Sequence, residues 1–172
     1  MNNNKEGGWG GSGIEKVLFD FIRQILPDNS TILELGSGDG STFHFLKYYK
    51  VYSIESDKNW INRHPSNYIY APIINGWFDI NAIKNGLPPD YDLIFVDGPL
   101  GKSETSLGRS PFLKHLDLFN TEIPIIFHDT YRRDERELAI NVAHKLNKPV
   151  VFFQRGNPMD YWAIVGNYKK IN

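Results

Sequence analysis

Residues 31–58, which read TILELGSGDGSTFHFLKYYKVYSIESDK, decide the fold of this chain. An apolar segment, 32–35, runs into the glycine-rich turn Gly36-Ser37-Gly38-Asp39-Gly40, and a second apolar segment, 51–54, ends at Glu55. Because glycine lacks a Cβ atom, the backbone of such a turn can lie close to a ligand. An acid at the end of the next strand can accept hydrogen bonds from both hydroxyls of a ribose. The stretch therefore predicts a strand–turn–helix–strand unit that binds an adenosine-bearing cofactor.

The composition is that of one globular domain and excludes several kinds of site. The chain has 172 residues, 41% of them hydrophobic, and a net charge of −1. This charge gives no general attraction to nucleic acid or to an anionic membrane. The absence of cysteine excludes disulfides, thiolate metal ligands and cysteine nucleophiles. No apolar run is long enough to span a membrane, and the first residues do not resemble a signal peptide, so we expect a cytoplasmic protein.

Strand patterns and helix patterns alternate along the chain. The apolar spacing predicts helices at 14–26, 41–49, 57–62, 110–119 and 133–146, and strands at 31–35, 51–54, 68–73, 91–96, 124–127, 150–153 and 161–165. This alternation predicts a three-layer, doubly wound α/β fold with a mostly parallel seven-stranded sheet. The short connection between the last two strands predicts a C-terminal antiparallel hairpin. We expect residues 1–12 to form a flexible arm before a single domain, 13–172.

Polar residues follow four of the predicted strands. They are the segment 34–40, Glu55, Asp97 and the pair His128-Asp129. In open parallel sheets, ligands bind beyond the carboxyl ends of the strands. The sequence therefore predicts that these four strand ends meet at one binding site.

Three motifs resemble those of class I S-adenosylmethionine-dependent methyltransferases. LELGSGDG at 33–40 is similar to the first motif of that family, and YSIESD at 52–57 is similar to its ribose-binding segment. FVDG at 95–98, followed by IIFHDT at 125–130, resembles a subgroup with Asp-Gly after strand four and His-Asp after strand five. The resemblance covers about residues 13–165. A dinucleotide site of the pattern Gly-x-Gly-x-x-Gly fits poorly, because Ser41 stands where its third glycine belongs.

The resemblance implies S-adenosylmethionine as cofactor and a set of residues that bind it. Glu55 would hold the ribose, Glu34 and Asp39 the methionine part, and the loop after strand three the adenine. The residues expected to contact the cofactor are Glu34, Gly36, Ser37, Gly38, Asp39, Gly40, Glu55, Ser56, Asn75, Trp77 and Asp97.

The sequence does not decide which residue is the general base or whether a metal ion is bound. His128 is the first candidate for a general base, because the ordinary pKa of histidine lies near neutrality, with Lys102 second and Asp97 beside the reaction centre. The resemblance also implies Mg²⁺ bound by Asp97, Asp129 and Thr130. Thr130, however, stands where the subgroup has an amide, and Pro99-Leu100 stand where it has a histidine.

The function expected is O-methylation of a hydroxylated small molecule or a saccharide, contacted by the loop 99–109 with its charged Lys102 and Arg109. One alternative is a protein of the same fold that binds the cofactor with little turnover. Another is a nucleic-acid methyltransferase, which the near-neutral charge disfavours. Asp97-Gly98-Pro99-Leu100 also departs from the Asn/Asp-Pro-Pro-aromatic motif of such enzymes. The acceptor site is open, or is completed by the N-terminal arm or by a second subunit in a homo-oligomer.

Overall fold

A computed structural model describes Trp9, residues 14–154 and residues 161–171. The helices are α1 (Lys16–Ile25), α2 (Ser41–Phe45), α3 (Ile80–Gly86), a 3₁₀ helix (Ser110–Leu118) and α4 (Arg133–Leu146). The strands are β1 (Thr31–Leu35), β2 (Lys50–Glu55), β3 (Asn67–Tyr70), β4 (Ile73–Ile74), β5 (Trp77–Phe78), β6 (Leu93–Val96), β7 (Ile125–Phe127), β8 (Val150–Gln154) and β9 (Tyr161–Val165).

Seven of the strands form one sheet in the order β3-β2-β1-β6-β7-β9-β8. Strand β9 runs antiparallel to both of its neighbours, and the other pairs are parallel. The predicted fold class, including the C-terminal antiparallel hairpin, is therefore confirmed. Strands β4 and β5 form a separate two-stranded hairpin.

Two apolar layers cover the two faces of the sheet. Alternate residues of β1 point to opposite faces, so that Ile32 packs with α1 and Leu33 packs with the layer that contains α4. Leu18 of α1 and Val142 of α4 are fully buried in these layers. Because both faces are covered, the carboxyl ends of the central strands remain the accessible edge for a ligand.

The elements between β2 and α3 differ most from the sequence expectation. A helix at 57–62 was predicted, and this prediction is wrong, because the segment forms turns in which Asn62 has a φ of +63°. The predicted strand 68–73 is divided between β3 and the hairpin strand β4. Asn75 and Gly76 connect β4 to β5 with φ values of +53° and +86°, as a tight two-residue hairpin turn requires.

The expected flexible arm, apart from Trp9, and the short connection expected between the last two strands lie outside the described residues. Trp9 stacks on the ring of His44 in α2, with 3.7 Å between the ring centroids. None of the helices in the described part of the chain has the length and apolar character needed to cross a membrane.

Candidate cofactor and active site

A cleft of about 550 Å³ lies at the carboxyl ends of strands β1, β2, β6 and β7. One side is lined by the glycine turn that follows β1 and by residues 55–57 at the end of β2. The other side is lined by Asp97 and the loop after β6, with His128 and Asp129 after β7. The structure thus brings together the four polar strand ends that the sequence placed at one site.

The glycines of the turn have different structural roles. Gly36 has a φ of +86°, and a Cβ atom built on it would lie 2.8 Å from the Cα atom of Gly98. A Cβ atom on Gly38 would lie no closer than 3.8 Å to any atom beyond its chain neighbours, and Gly38 lines the cleft. Gly36 and Gly98 therefore allow the ends of β1 and β6 to pack together, whereas Gly38 leaves open space that a ligand can fill.

Glu34 is fully buried behind the glycine turn and does not line the cleft. Its carboxyl accepts hydrogen bonds from the hydroxyls of Ser41, Thr42 and Ser53, the last two at 2.7 and 2.9 Å. Burial raises the pKa of Glu34 to about 7, and the three hydroxyls oppose that rise. Glu34 thus connects the end of β1 to α2 and β2 through hydrogen bonds. It was expected to contact the cofactor, but it does not line the cleft.

Glu55 is 6% exposed and lines the cleft. Its Oε2 accepts hydrogen bonds from the backbone N–H of Ser37 at 2.9 Å and from the Ser37 hydroxyl at 2.8 Å. Its Oε1 accepts from the backbone N–H groups of Ser56 at 2.7 Å and Asp57 at 2.8 Å. Both oxygens are therefore already hydrogen-bonded, and a ribose hydroxyl must share them or displace the rotatable Ser37 hydroxyl.

The β4–β5 hairpin lines the cleft with residues other than the two predicted. Asn75 occupies the turn, and Trp77 is buried with its ring stacked on His115 at 5.1 Å; neither lines the cleft. Ile73 and Phe78, from the same hairpin, do line it. An apolar pair of this kind suits the face of an adenine ring.

The remaining expected cofactor contacts lie in the cleft. Ser37, Asp39, Gly40 and Ser56 all line it, and so does Trp60, which sequence reasoning had not singled out. Asp39 also pairs with two side chains of the segment between β2 and β3, at 3.0 Å from the Nε2 of His64 and 3.3 Å from Nη2 of Arg63.

His128 lies between two carboxyl groups, one at each ring nitrogen. Its Nδ1 is 3.0 Å from Oδ1 of Asp97, and its Nε2 is 3.0 Å from Oε2 of Glu15. Burial acts to lower the pKa of His128, but Asp97 and Glu15 outweigh it and raise the pKa to about 10. The imidazole is therefore protonated at neutral pH, which does not favour the general-base role expected from its ordinary pKa.

Asp97 is held by two cationic side chains. Besides His128, Nη2 of Arg109 donates to its Oδ1 at 2.8 Å. Burial acts to raise the pKa of Asp97, yet His128 and Arg109 bring the pKa below its ordinary value. Asp97 is thus a carboxylate at neutral pH, and its side chain keeps 20% of its surface exposed toward the cleft.

Arg109 joins the two acids that end β6 and β7. The same Nη2 atom donates to Oδ2 of Asp129 at 3.0 Å, and Nη1 donates to the carbonyl oxygen of His128 at 3.0 Å. The residue is 6% exposed. Arg132 approaches Asp129 from the solvent side, with 3.2 Å between its Nη1 and Oδ2. Arg109 was expected to contact the acceptor; the structure buries most of it between Asp97 and Asp129, where it also lines the cleft.

Lys102 and Thr130 lie apart from the cleft lining. Lys102 is exposed and forms an ion pair of 2.6 Å with Asp134, which raises its pKa and makes it a poorer base. Thr130 is buried, and its backbone N–H donates to the carbonyl of Tyr161 at 3.1 Å. Neither residue is placed where its predicted role requires it.

The acids after β6 and β7 do not fit the Mg²⁺ ion that the resemblance implied. Within the described part of the chain, potential ligand atoms of Asp97, His128 and Asp129 lie within 4.8 Å of one another. Arg109, however, donates to both carboxylates, and the His128 ring is a protonated donor. A divalent cation at this point would meet the guanidinium at close range and would compete with it for Oδ1 of Asp97 and Oδ2 of Asp129.

Sequence reasoning missed Glu15, and it named Arg109 only as a contact of the acceptor, not as a partner of Asp97 and Asp129. Glu15 precedes α1 and is 113 residues from His128, and Arg109 is 12 residues from Asp97 and 20 from Asp129. No local motif connects residues at these separations, so the sequence carries no signal for these contacts.

Solved structures of two methyltransferases and of a decarboxylase resemble this chain in fold. A methyltransferase from Pyrococcus furiosus aligns with a TM-score of 0.52 and 18% identity over 96% of this chain and 89% of its own. A precorrin 8w decarboxylase from Methanobacterium thermoautotrophicum aligns with a TM-score of 0.57 and 16% identity, over 96% of this chain and 98% of the decarboxylase. An SAH-bound methyltransferase from Podospora anserina aligns with a TM-score of 0.50 and 14% identity, over 81% of this chain and 72% of that methyltransferase.

No protein-family model and no curated protein matches the sequence. At the identities of the structural matches, the likeness establishes the fold alone. The chain has the Rossmann-like fold found in class I methyltransferases. A fold does not determine an activity, which depends on the residues of the cleft.

Proposed function

We propose that this protein is an S-adenosylmethionine-dependent methyltransferase that methylates a hydroxyl group of a small molecule or saccharide. The observation that carries the proposal is the convergence of the open glycine turn at Gly38, Glu55 and Asp97 in one cleft of a methyltransferase fold. When bound, the cofactor supplies an electrophilic methyl group. The SAH-bound structural neighbour supports this choice of cofactor.

The side of the cleft next to β1 and β2 suits the cofactor. The methionine part of the cofactor lies close to the backbone in the open space above Gly38. Glu55 accepts hydrogen bonds from the ribose hydroxyls when the Ser37 hydroxyl rotates away. Ile73 and Phe78 offer an apolar surface to the adenine. These groups bind and orient the donor, which is the main demand that methyl transfer makes on a protein.

The side next to β6 and β7 suits a hydroxyl acceptor. Asp97 is an ionised, partly exposed carboxylate fixed by Arg109 and His128, so it can accept a hydrogen bond from the acceptor hydroxyl. The hydroxyl proton becomes strongly acidic as its oxygen gains the methyl group, and a carboxylate of low pKa is then a sufficient base. His128 holds its own proton and positions Asp97.

Cofactor binding is the first test, and Gly38→Ala is its sharpest variant. The wild type is expected to bind S-adenosylmethionine in isothermal titration, and Gly38→Ala to lose at least about tenfold in affinity, since about 1.4 kcal/mol corresponds to that factor. Lys84→Ala is the control, because it replaces an exposed residue of α3 that does not line the cleft. Absence of binding by the folded wild type would contradict the cofactor assignment.

Methyl transfer itself is tested with isotopically labelled cofactor and a panel of hydroxylated small molecules and sugars. The expected result is transfer to one class of hydroxyl compound, lost in Asp97→Asn and unchanged by a chelator. Transfer only to amines, thiols or nucleic acid would disprove the O-methylation part and leave the cofactor assignment standing.

A cofactor-binding protein with little turnover is the second candidate. It is favoured by one observation, which is that His128 has a carboxyl group at each ring nitrogen and offers no free base. A single-turnover measurement with the full acceptor panel distinguishes the two. Tight binding without transfer to any compound would favour this candidate.

A further inference from the structure

The acids that end β6 and β7 form a pocket for a cation, and this chain supplies the cation itself. Potential ligand atoms of Asp97, His128 and Asp129 lie within 4.8 Å of one another, which is the spacing of a divalent-metal site. We propose that the guanidinium of Arg109 permanently fills this position, so that the wild-type protein binds no divalent cation here. Removal of the guanidinium would open a site for one Mn²⁺ or Mg²⁺ ion.

The contacts of the guanidinium are those of a bridging cation. A single nitrogen, Nη2, lies 2.8 Å from Oδ1 of Asp97 and 3.0 Å from Oδ2 of Asp129. The second terminal nitrogen donates to the carbonyl oxygen of His128 at 3.0 Å. These three oxygens are hard ligands of the kind that Mg²⁺ and Mn²⁺ prefer. The guanidinium thus already uses the oxygens that an ion would need.

The charges of the cluster are balanced with Arg109 present. The two carboxylates of Asp97 and Asp129 face two guanidinium groups, those of Arg109 and Arg132. A divalent ion added to this set would be uncompensated in a largely buried place, where charge is costly. The same set without Arg109 has a net negative charge and two carboxylates that have lost a donor.

The backbone holds Arg109 in this position. Gly108, directly before it, has a φ of +66°, and the 3₁₀ helix begins directly after it with Pro111 near its first position. The Leu107 N–H donates to the carbonyl of Gly76 at 2.8 Å, which fastens this end of the loop to the β4–β5 hairpin. With only 6% of its surface exposed, Arg109 is a fixed part of the site rather than a mobile surface side chain.

The test is isothermal titration of Mn²⁺ into the cofactor-free protein. We expect no saturable binding by the wild type at millimolar Mn²⁺, and binding of one ion by Arg109→Ala, with the gain abolished in Arg109→Ala/Asp129→Asn. Arg132→Ala is the matched control, because it removes a cation from Asp129 but leaves the bridging guanidinium in place. Arg132→Ala and Arg109→Lys are both expected to behave as the wild type.

Two outcomes would overturn the proposal. One is saturable one-to-one Mn²⁺ binding by the wild type that disappears in Asp129→Asn. The other is a folded Arg109→Ala protein, verified by circular dichroism, that binds no Mn²⁺. If Arg109→Ala does not fold, Arg109→Met, which keeps most of the side-chain volume, takes its place. Because no cofactor is present, failure here is independent of whether the protein methylates anything.

Discussion

The two sides of the cleft are built in opposite ways. The donor side, residues 34–57, is held by short-range hydrogen bonds among Glu34, Ser37, Ser41 and Glu55, within a span of about two dozen residues. The acceptor side joins α1, the end of β6, the loop before the 3₁₀ helix and the end of β7 through a network of charges. A local motif builds the donor side, and only the complete fold builds the acceptor side.

This difference separates a part of the site that one short segment builds from a part that distant segments build together. In the proposed function the donor side recognises one ligand, through short-range hydrogen bonds and the open space at Gly38. The acceptor side depends on long-range ion pairs, above all those of Arg109 with Asp97 and Asp129. Each of the following experiments acts on one side, or on the point where both sides touch.

Gly36→Ala should have the largest effect, because it acts at the contact between the two sides. The new Cβ atom would lie 2.8 Å from the Cα atom of Gly98, and the φ of +86° strains any residue with a side chain. We expect the free energy of unfolding to fall by about 4 kcal/mol or more. Urea denaturation measures this, with Gly38→Ala as the control within about 0.5 kcal/mol of the wild type. Equal stability of the two variants would show that the contact between Gly36 and Gly98 is not needed.

Because of the ion pairs of His128, the stability of the protein should fall at high pH. The pKa of His128 is raised from 6.5 to about 10, so its stabilisation is complete below pH 6.5 and is lost as the pH rises toward 10. We expect the wild type to lose a few kcal/mol of stability across this range, since one pKa unit corresponds to about 1.4 kcal/mol. His128→Gln should flatten this dependence in pH-dependent denaturation. A His128 resonance that titrates near pH 6.5 in nuclear magnetic resonance would contradict the charge network.

Glu55→Gln tests the donor side without changing its shape. The amide cannot accept from all four protein donors and from a ribose as well, so we expect the affinity for S-adenosylmethionine to fall by roughly 10- to 100-fold, about 1.4–2.8 kcal/mol. Isothermal titration measures the affinity, and thermal denaturation checks that the variant is folded. Glu122→Gln, at an exposed position far from the cleft, is the control. Unchanged affinity would remove Glu55 from the cofactor site.

Lys102→Met should have the smallest effect. Both partners of the Lys102–Asp134 ion pair are more than half exposed, and exposed pairs contribute between 0 and about 1 kcal/mol. We expect stability within about 0.5 kcal/mol of the wild type and methyl transfer at nearly the wild-type rate. Loss of transfer with cofactor binding intact would return Lys102 to the acceptor side as a functional group.

The sequence predicted the sheet and the donor side, because both depend on local patterns. The glycine turn, Glu55 and the hydrophobic alternation of strands are contained in short segments, and the structure places them where the patterns require. The hairpin at 73–78 was misassigned, because two-residue strands have no detectable period. Asn75 and Trp77 were consequently expected in the cleft, which Ile73 and Phe78 line instead.

The sequence predicted only part of the acceptor side, and the reason is physical. The ordinary pKa of histidine suggested a base at His128, but the pKa in the folded protein depends on Asp97 and on Glu15, a residue far away in the sequence. The pair Asp97 and Asp129 suggested a metal, but the cation that binds them is Arg109. Charge networks of this kind depend on tertiary contacts, and no spacing rule along the chain describes them.

The contact between Glu15 and His128 also bears on the order in which the chain folds. It closes a loop of 113 residues, and contacts of such separation form late because loop closure has an entropic cost. A chain emerging from the ribosome presents Glu15 long before β7 exists. The acceptor side therefore completes its charge network only after most of the sheet has formed, and a partly synthesised chain has the glycine turn and Glu55 but not this network.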